Sequence, residues 1–210
     1  MGKLTKKKLK HYWKKTWHFI WEDDSWLSWL VNIVLAFVLI KFVVYPVLGI
    51  VLATSHPIVA VVSSSMEHDG SFDDWWESRA TCGSKECLQG EFYRDLGISK
   101  DEFRGFRFEN GFNKGDIMVL YGTKPEKVKM GDVVVFMANR PDPIIHRVIE
   151  TKKQDSQYTF TTKGDHNTAT FYFEQSVPEE NYIGRAVLRI PYLGYIKIGF
   201  VNLLMYLNIM

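Results

Sequence analysis

The chain has 210 residues, 46% of them hydrophobic and 24% charged, with Gly 15 and Pro 7. Those proportions exclude a disordered polyelectrolyte, a collagen-like repeat and a low-complexity linker. A net charge of +2 leaves no electrostatic footprint for nucleic acid, and Cys 2 makes neither a disulfide framework nor a four-thiolate zinc site.

In chain order, residues 1–25 form a basic tail, with Lys3, Lys6, Lys7, Lys8, Lys10, Lys14 and Lys15 against Glu22, Asp23 and Asp24. Residues 26–53 follow as an apolar run in which Lys41 is the only charge. At ~1.5 Å per residue, ~20 apolar residues cross a ~30 Å hydrocarbon core, so the run predicts a transmembrane anchor. It exceeds the ~7–15-residue core of a cleaved signal sequence, and no clean A-x-A site follows it. The preceding lysines place the N-terminus in the cytoplasm by the positive-inside rule, and Trp13, Trp17, Trp21, Trp26 and Trp29 read as an interfacial belt on that side. The expectation is a single-pass protein of the cell membrane, with everything after about residue 54 on the outer, exoplasmic face.

Residues 54–197 change to period two. Runs at 58–62, 117–121, 133–136, 144–149, 158–162 and 186–190 each read as a strand, punctuated by Gly-Asp turns at 115–116, 131–132 and 164–165. Short strands without intervening helices predict a mostly β, antiparallel domain. Residues 69–113 interrupt it as a mixed insertion rich in charge, Gly and Trp, with one short helix expected within 92–106. The insertion is placed at the rim of the β-domain, where it could cap substrate access. Cys82 and Cys87 lie inside it, and a loop-pinning disulfide, two free thiols and a weak metal site are the readings open to them. Residues 198–210 are uncharged and span ~20 Å as a helix, short of a full crossing; they form an interfacial or membrane-associated segment, or part of the core.

Three short motifs carry reactive groups: Ser63-Ser64-Ser65-Met66-Glu67 after the first strand, His146-Arg147-Val148 within a strand, and Thr162-Lys163-Gly164-Asp165 at a turn. A serine hydroxyl needs a neighbouring base near pH 7, histidine with its ordinary pKa of ~6.5 suits that task, and a carboxylate behind the histidine fixes its tautomer. Each motif alone reads as an ordinary turn or a packed side chain. His56, His68 and His166 complete no metal-ligand set with His146, so no metal or cofactor is expected. Lys41 lies in the anchor, at the wrong depth for a base, and Asp116 and Asp132 read as strand-entry turns.

Together the motifs resemble the type I signal peptidases of the archaeal and endoplasmic-reticulum branch. The match runs from S-x-S-M-E at 63–67 through K-G-D at 114–116, G-D-V-V-V-F at 131–136, H-R-V at 146–148 and T-K-G-D-x-N at 162–167 to I-P-Y-L-G-Y at 190–195. The resemblance implies a signal-peptidase-like β catalytic domain and a serine endopeptidase that removes signal peptides from secreted preproteins. It implies Ser65 as nucleophile, His146 as general base and later acid, where bacterial-type relatives carry a lysine, and Asp165 as the orienting carboxylate. Ser63 and Met66 form the supporting set, with the Ser65 N–H and the Ser63 hydroxyl at the oxyanion hole. Small residues are expected at the first and third positions before the cut.

The chain departs from the family pattern at three places. The second acidic residue about six positions after the aspartate is Phe171, with Glu174 three residues further on; the proline of S-M-x-P is replaced by His68; and the insertion separates Ser65 from the next motif. Implied partners are preproteins, membrane lipid and secretion-machinery proteins, and no nucleic acid. An inactive anchored β-domain that binds exported chains, and a protease for a dedicated set of precursors, are the other readings.

Overall fold

The computed structural model describes residues 2–140 and 142–207. The chain divides into two compact units, one running to Val51 and the other beginning at Leu52.

The first unit is helical. Helix α1 (Gly2–Trp21) carries the lysines, and α2 (Trp26–Leu39) opens after Asp23 and Ser25 cap the turn between them. Ser28 donates its hydroxyl to the Phe19 carbonyl and Asn32 donates its amide to the Ile20 carbonyl, 2.8 Å away. The few polar groups of the apolar run thus satisfy carbonyls that the end of α1 leaves open. A wide turn at Ile40–Val44 joins α2 to α3 (Tyr45–Val51), with the Tyr45 N–H reaching back to the Ile40 carbonyl. That extra residue lies just before Pro46, whose missing N–H would break a regular ladder. Trp26–Val51 is one continuous apolar helix of 26 residues. It is long and apolar enough to cross a membrane.

The second unit is built on a seven-stranded, wholly antiparallel sheet that curls into a half-barrel. Its strands are β1 (Ile58–Ala60), β4 (Ile117–Tyr121), β5 (Val133–Phe136), β6 (Ile144–Gln154), β7 (Gln157–Lys163), β8 (Val177–Pro178) and β9 (Tyr182–Ile190). They lie in the order β1-β4-β9-β5-β6-β7-β8. The central β5 shows why a continuous apolar run makes a strand here. Val133 and Val135 pack with Val61, Met66, Phe112, Leu120 and Ala186, while Val134 and Phe136 pack on the opposite face with Val148, Phe160 and Val177. A strand buried on both faces loses the apolar–polar alternation and keeps only β-branched bulk. Asp116 and Asp132 each accept the N–H three residues before them, from Asn113 and Lys129, and so close the turns that start β4 and β5.

The insertion has its own small core. Helix α4 (Phe72–Trp76), the hairpin β2 (Arg79–Cys82) and β3 (Lys85–Leu88), α5 (Gln89–Asp95) and α6 (Lys100–Arg104) enclose Trp75, Trp76, Tyr93, Ile98 and Phe103 against Ile149 of β6. The single helix expected within 92–106 is two. Gly97, at φ +80°, ends the first, and Ser99 caps the second by accepting the Glu102 N–H. Cys82 and Cys87 form a disulfide across the hairpin, which settles among the readings open to them. The last described element, α7 (Tyr195–Tyr206), is apolar and contributes no buried residue. Residues 208–210 of the apolar C-terminal segment lie outside the described residues.

Candidate active site

Ser65 stands in the turn that follows β1, where the Glu67 N–H donates to the Ser64 carbonyl and the His166 N–H donates to the Ser65 carbonyl at 2.9 Å. His146 projects from β6 opposite Val134 of β5. These two elements bring the Ser65 hydroxyl within 2.9 Å of His146 Nε2. The other ring nitrogen, Nδ1, is hydrogen-bonded to Glu174 Oε1. With a carboxylate at Nδ1, the proton belongs on that nitrogen, and Nε2 is free to accept one from serine.

Glu174 ends the 3₁₀ turn Tyr172–Glu174 and is fully buried. Its second oxygen accepts the Phe171 N–H at 2.8 Å, and the Thr162 hydroxyl approaches Oε1 at 3.4 Å. A 3₁₀ turn eclipses residues three apart. Glu174 therefore returns to the face where an acid at position 171 would stand.

Asp165, expected to orient His146, is engaged elsewhere. Its carboxylate accepts from Arg147 Nε at 2.9 Å and Arg147 Nη2 at 2.6 Å, contacts His68 Nε2 at 3.1 Å, and accepts the Tyr93 hydroxyl at 3.3 Å. Both oxygens are thus committed to the side away from His146. Burial alone would raise this carboxyl, but the Arg147 charge and the hydrogen bonds from His68 and Arg147 outweigh it and hold it well below the usual carboxylate range. Arg147 is buried as well; burial opposes its charge, and Asp165 more than restores it.

The supporting residues close around this pair. The Ser63 hydroxyl lies 3.2 Å from that of Ser65. Met66 is fully buried, and its sulfur accepts the Asp165 N–H at 3.4 Å, so it ties the serine turn to the aspartate turn. Gly164 lies between them: a Cβ there would come within 2.7 Å of the Ser65 carbonyl and 2.8 Å of His146 Nε2. Only glycine fits against a serine and a histidine held that close.

A cleft of about 380 Å³ opens over Ser65 and His146. Val59, Ala60 and Val62 line one wall, and Ile144, Phe171 and Phe173 belong to the other, with Arg140 and Asp142 adding charge. None of the residues lining it, among those described, comes from 69–113. The insertion is therefore not a cap over the cleft. It packs behind the Asp165 turn, where its aromatic core finds the apolar face of Ile149.

His68 and His166 take no part in a metal cluster, and among the described residues no group of three or more ligating side chains converges. His68 stacks on Trp75 with ring centroids 3.8 Å apart, which explains why this position does not hold proline. In the sequence Asp165 stands out from Glu174 because it matches the G-D aspartate of the family pattern. The signal that favours Glu174, an acid one 3₁₀ turn past Phe171, depends on that turn forming.

No family model matches the chain. Among curated proteins it is 33% identical over 97 residues to the signal peptidase complex catalytic subunit SEC11C of Homo sapiens, an alignment covering 43% of this chain and 50% of that protein. The corresponding figures are 33%, 97 residues, 43% and 52% for the signal peptidase complex catalytic subunit SEC11 of Plasmodium falciparum. For the Sclerotinia sclerotiorum subunit they are 32%, 97 residues, 43% and 56%. The chain spans about half the length of the curated relatives it matches. These relatives are of the endoplasmic-reticulum branch, the resemblance its motifs carry.

Proposed function

We propose that this relative of the endoplasmic-reticulum-branch signal peptidases is a membrane-bound serine endopeptidase that removes N-terminal signal peptides from preproteins. The observation that carries the reading is the Ser65 hydroxyl at 2.9 Å from His146 Nε2, with Glu174 on the opposite ring nitrogen. His146 takes the Ser65 proton as Oγ attacks the scissile carbonyl, and the resulting imidazolium is stabilised by Glu174. The tetrahedral intermediate collapses when His146 returns that proton to the leaving amine. Water, deprotonated by the same histidine, then hydrolyses the acyl ester and frees Ser65.

The Ser65 N–H and the Ser63 hydroxyl are the donors assigned to the oxyanion, and Met66 holds their turn in place. The cleft walls suit an extended peptide. β1 pairs with β4 on one side only, so a substrate strand can add to its other edge with its small side chains facing Ala60, Val62 and Ile144. Small side chains at the first and third positions before the cut fit such walls, and bulkier ones are rejected sterically. The membrane enters through Trp26–Val51 and the lysines of α1, which favour a cytoplasmic N-terminus and an exoplasmic catalytic unit. Lipid and secretion-machinery proteins are the partners this topology calls for. Glu174 beside His146 supports an active enzyme over an inert scaffold.

The test is cleavage of a signal-peptide-bearing preprotein by the full chain reconstituted in lipid. Wild type is expected to cut after the signal, and Ser65→Ala and His146→Ala to lose at least ~10³-fold in rate. A wild-type protein no faster than Ser65→Ala would remove the peptidase reading.

A further inference from the structure

The inserted segment sends a set of polar side chains to the turn that carries Gly164 and Asp165. Trp75 donates its indole N–H to the Asp165 carbonyl at 3.0 Å, and the Thr81 N–H donates to the Thr168 carbonyl at 2.8 Å. The most connected of these side chains is Gln89, at the start of α5, which is 1% exposed. Its amide nitrogen donates to the Arg79 carbonyl at 3.2 Å and the Asn167 carbonyl at 3.0 Å, and its oxygen accepts from Lys163 Nζ at 2.8 Å. Two carbonyls at one end and an ammonium at the other leave a single amide orientation that satisfies all three.

Lys163 is itself fully buried, with its ammonium 5.1 Å from the Phe92 ring and 5.5 Å from the Tyr93 ring, both on α5. It donates onward to the Gly164 carbonyl at 3.2 Å and approaches the Asp165 carbonyl at 3.5 Å. Gly164 lies so near Ser65 and His146 that a Cβ there would clash with both, and the His166 N–H holds the Ser65 carbonyl. A continuous chain of contacts therefore runs from α5 through Lys163 to the reacting pair.

Resting on the peptidase reading, we propose that the insertion is a positioning brace for the catalytic pair, with Gln89 as its positioning residue acting through Lys163 on the Gly164–Asp165 turn. Gln89 touches neither substrate nor the reacting atoms. Its effect is to fix the angle at which His146 meets Ser65, a geometry to which rate is steeply sensitive. Burial, aided by the Arg147 charge, pushes Lys163 down to about 8, against Asp165 and Glu174, which favour its charge. The Tyr93 phenol faces the same pocket and is raised well above its ordinary value by burial. The grip on the Gly164 carbonyl thus weakens as the ammonium loses its proton, which gives activity an alkaline limb near pH 8.

The test uses the full chain in lipid as wild type, Gln89→Leu, Gln89→Glu and Ser65→Ala. A fluorogenic peptide spanning a signal-peptide cleavage site reports kcat and KM, and amide exchange is followed at His166. Gln89→Leu is expected to lower kcat by about 10- to 100-fold with KM held within about 2-fold, and to speed exchange at His166 by at least ~10-fold. Gln89→Glu keeps the acceptor for Lys163 and adds charge but loses both donor contacts to the Arg79 and Asn167 carbonyls, so kcat returns only in part while the alkaline limb moves to higher pH. Wild-type exchange and kcat in Gln89→Leu would overturn the brace. If Gln89→Leu does not fold, an unmoved alkaline limb in Gln89→Glu overturns it instead. Should wild type cleave no faster than Ser65→Ala, the peptidase reading fails, while exchange at His166 still decides whether the insertion holds the turn.

Discussion

Two buried carboxylates stand near one histidine, and their partners divide the labour between them. Glu174 meets His146 Nδ1, whereas Asp165 is bound by Arg147, His68 and Tyr93. Glu174→Gln retains the shape but disfavours the imidazolium, and should cut kcat by about 10²- to 10⁴-fold while leaving the fold intact. Asp165→Asn leaves Arg147 buried beside a neutral partner, an uncompensated charge that costs about 3–5 kcal/mol. Thermal melts and single-turnover cleavage of both variants check this: the first should lose rate at constant Tm, the second should lose Tm. Equal loss of rate at unchanged Tm in both would contradict the division. The serine and histidine were legible in the sequence because their motifs are compact and chemically specific. The carboxylate that meets His146 was not, because nothing in the spacing reveals that Arg147, one residue beyond the histidine on the other face of β6, binds Asp165.

At the scale of elements, strands β4 and β5 follow the apolar runs of the sequence residue for residue. Burial on one or both faces dictates those residues, so pattern and structure coincide. β6 and β9 extend beyond their apolar runs, since ladder hydrogen bonds carry a strand into polar residues once its neighbour is in place. The hairpin of β2 and β3 and the short β8 gave no periodic signal, being polar and only a few residues long. The hairpin is closed by Cys82 and Cys87 with a sequence separation of 5, so the chain-entropy estimate of its stabilisation is only about 2 kcal/mol. Replacing both cysteines by serine should lower the melting temperature of the second unit by a few degrees, about 4–8 °C for each kcal/mol at small-domain scale and less at this size. Differential scanning calorimetry with and without reductant checks it; an unchanged transition on reduction would show that packing of Trp76 and Tyr93 alone sets the hairpin.

Across the whole molecule, two buried groups and the half-buried Tyr182 pull the stability of the second unit in different pH ranges. Asp165 is lowered, so its contribution is complete above the ordinary carboxylate range and is lost as pH falls through its folded value. Lys163, pushed down to about 8 by burial, binds a proton more tightly in the unfolded chain, so stability rises with pH from about 8 toward its ordinary ~10.4. Tyr182 is pushed up to about 12 by burial, so the unfolded chain loses that proton first and stability falls again above about 10. Urea midpoints across pH should therefore fall in acid, climb between about 8 and 10, and drop beyond. Lys163→Met should flatten the climb; a climb that survives this substitution would assign it to another group. Conformational stability and activity are expected to diverge in that interval, because the proton whose loss relieves burial also loosens the hold on Gly164.

The strand order also sets when Ser65 and His146 can meet. The turn bearing Ser65 hangs from β1 and β4, and His146 lies on β6 beside β5; the strand that joins these two halves is β9, which ends at Ile190. A ribosome makes β9 after every other strand of the sheet. Until it arrives, Ser65 and His146 belong to half-sheets that no strand ladder joins. On the proposed peptidase reading, a nascent chain threaded into the membrane amid other exported polypeptides is held back from cutting its neighbours or itself until its last strand pairs. Its topology then does the work of a removable pro-segment.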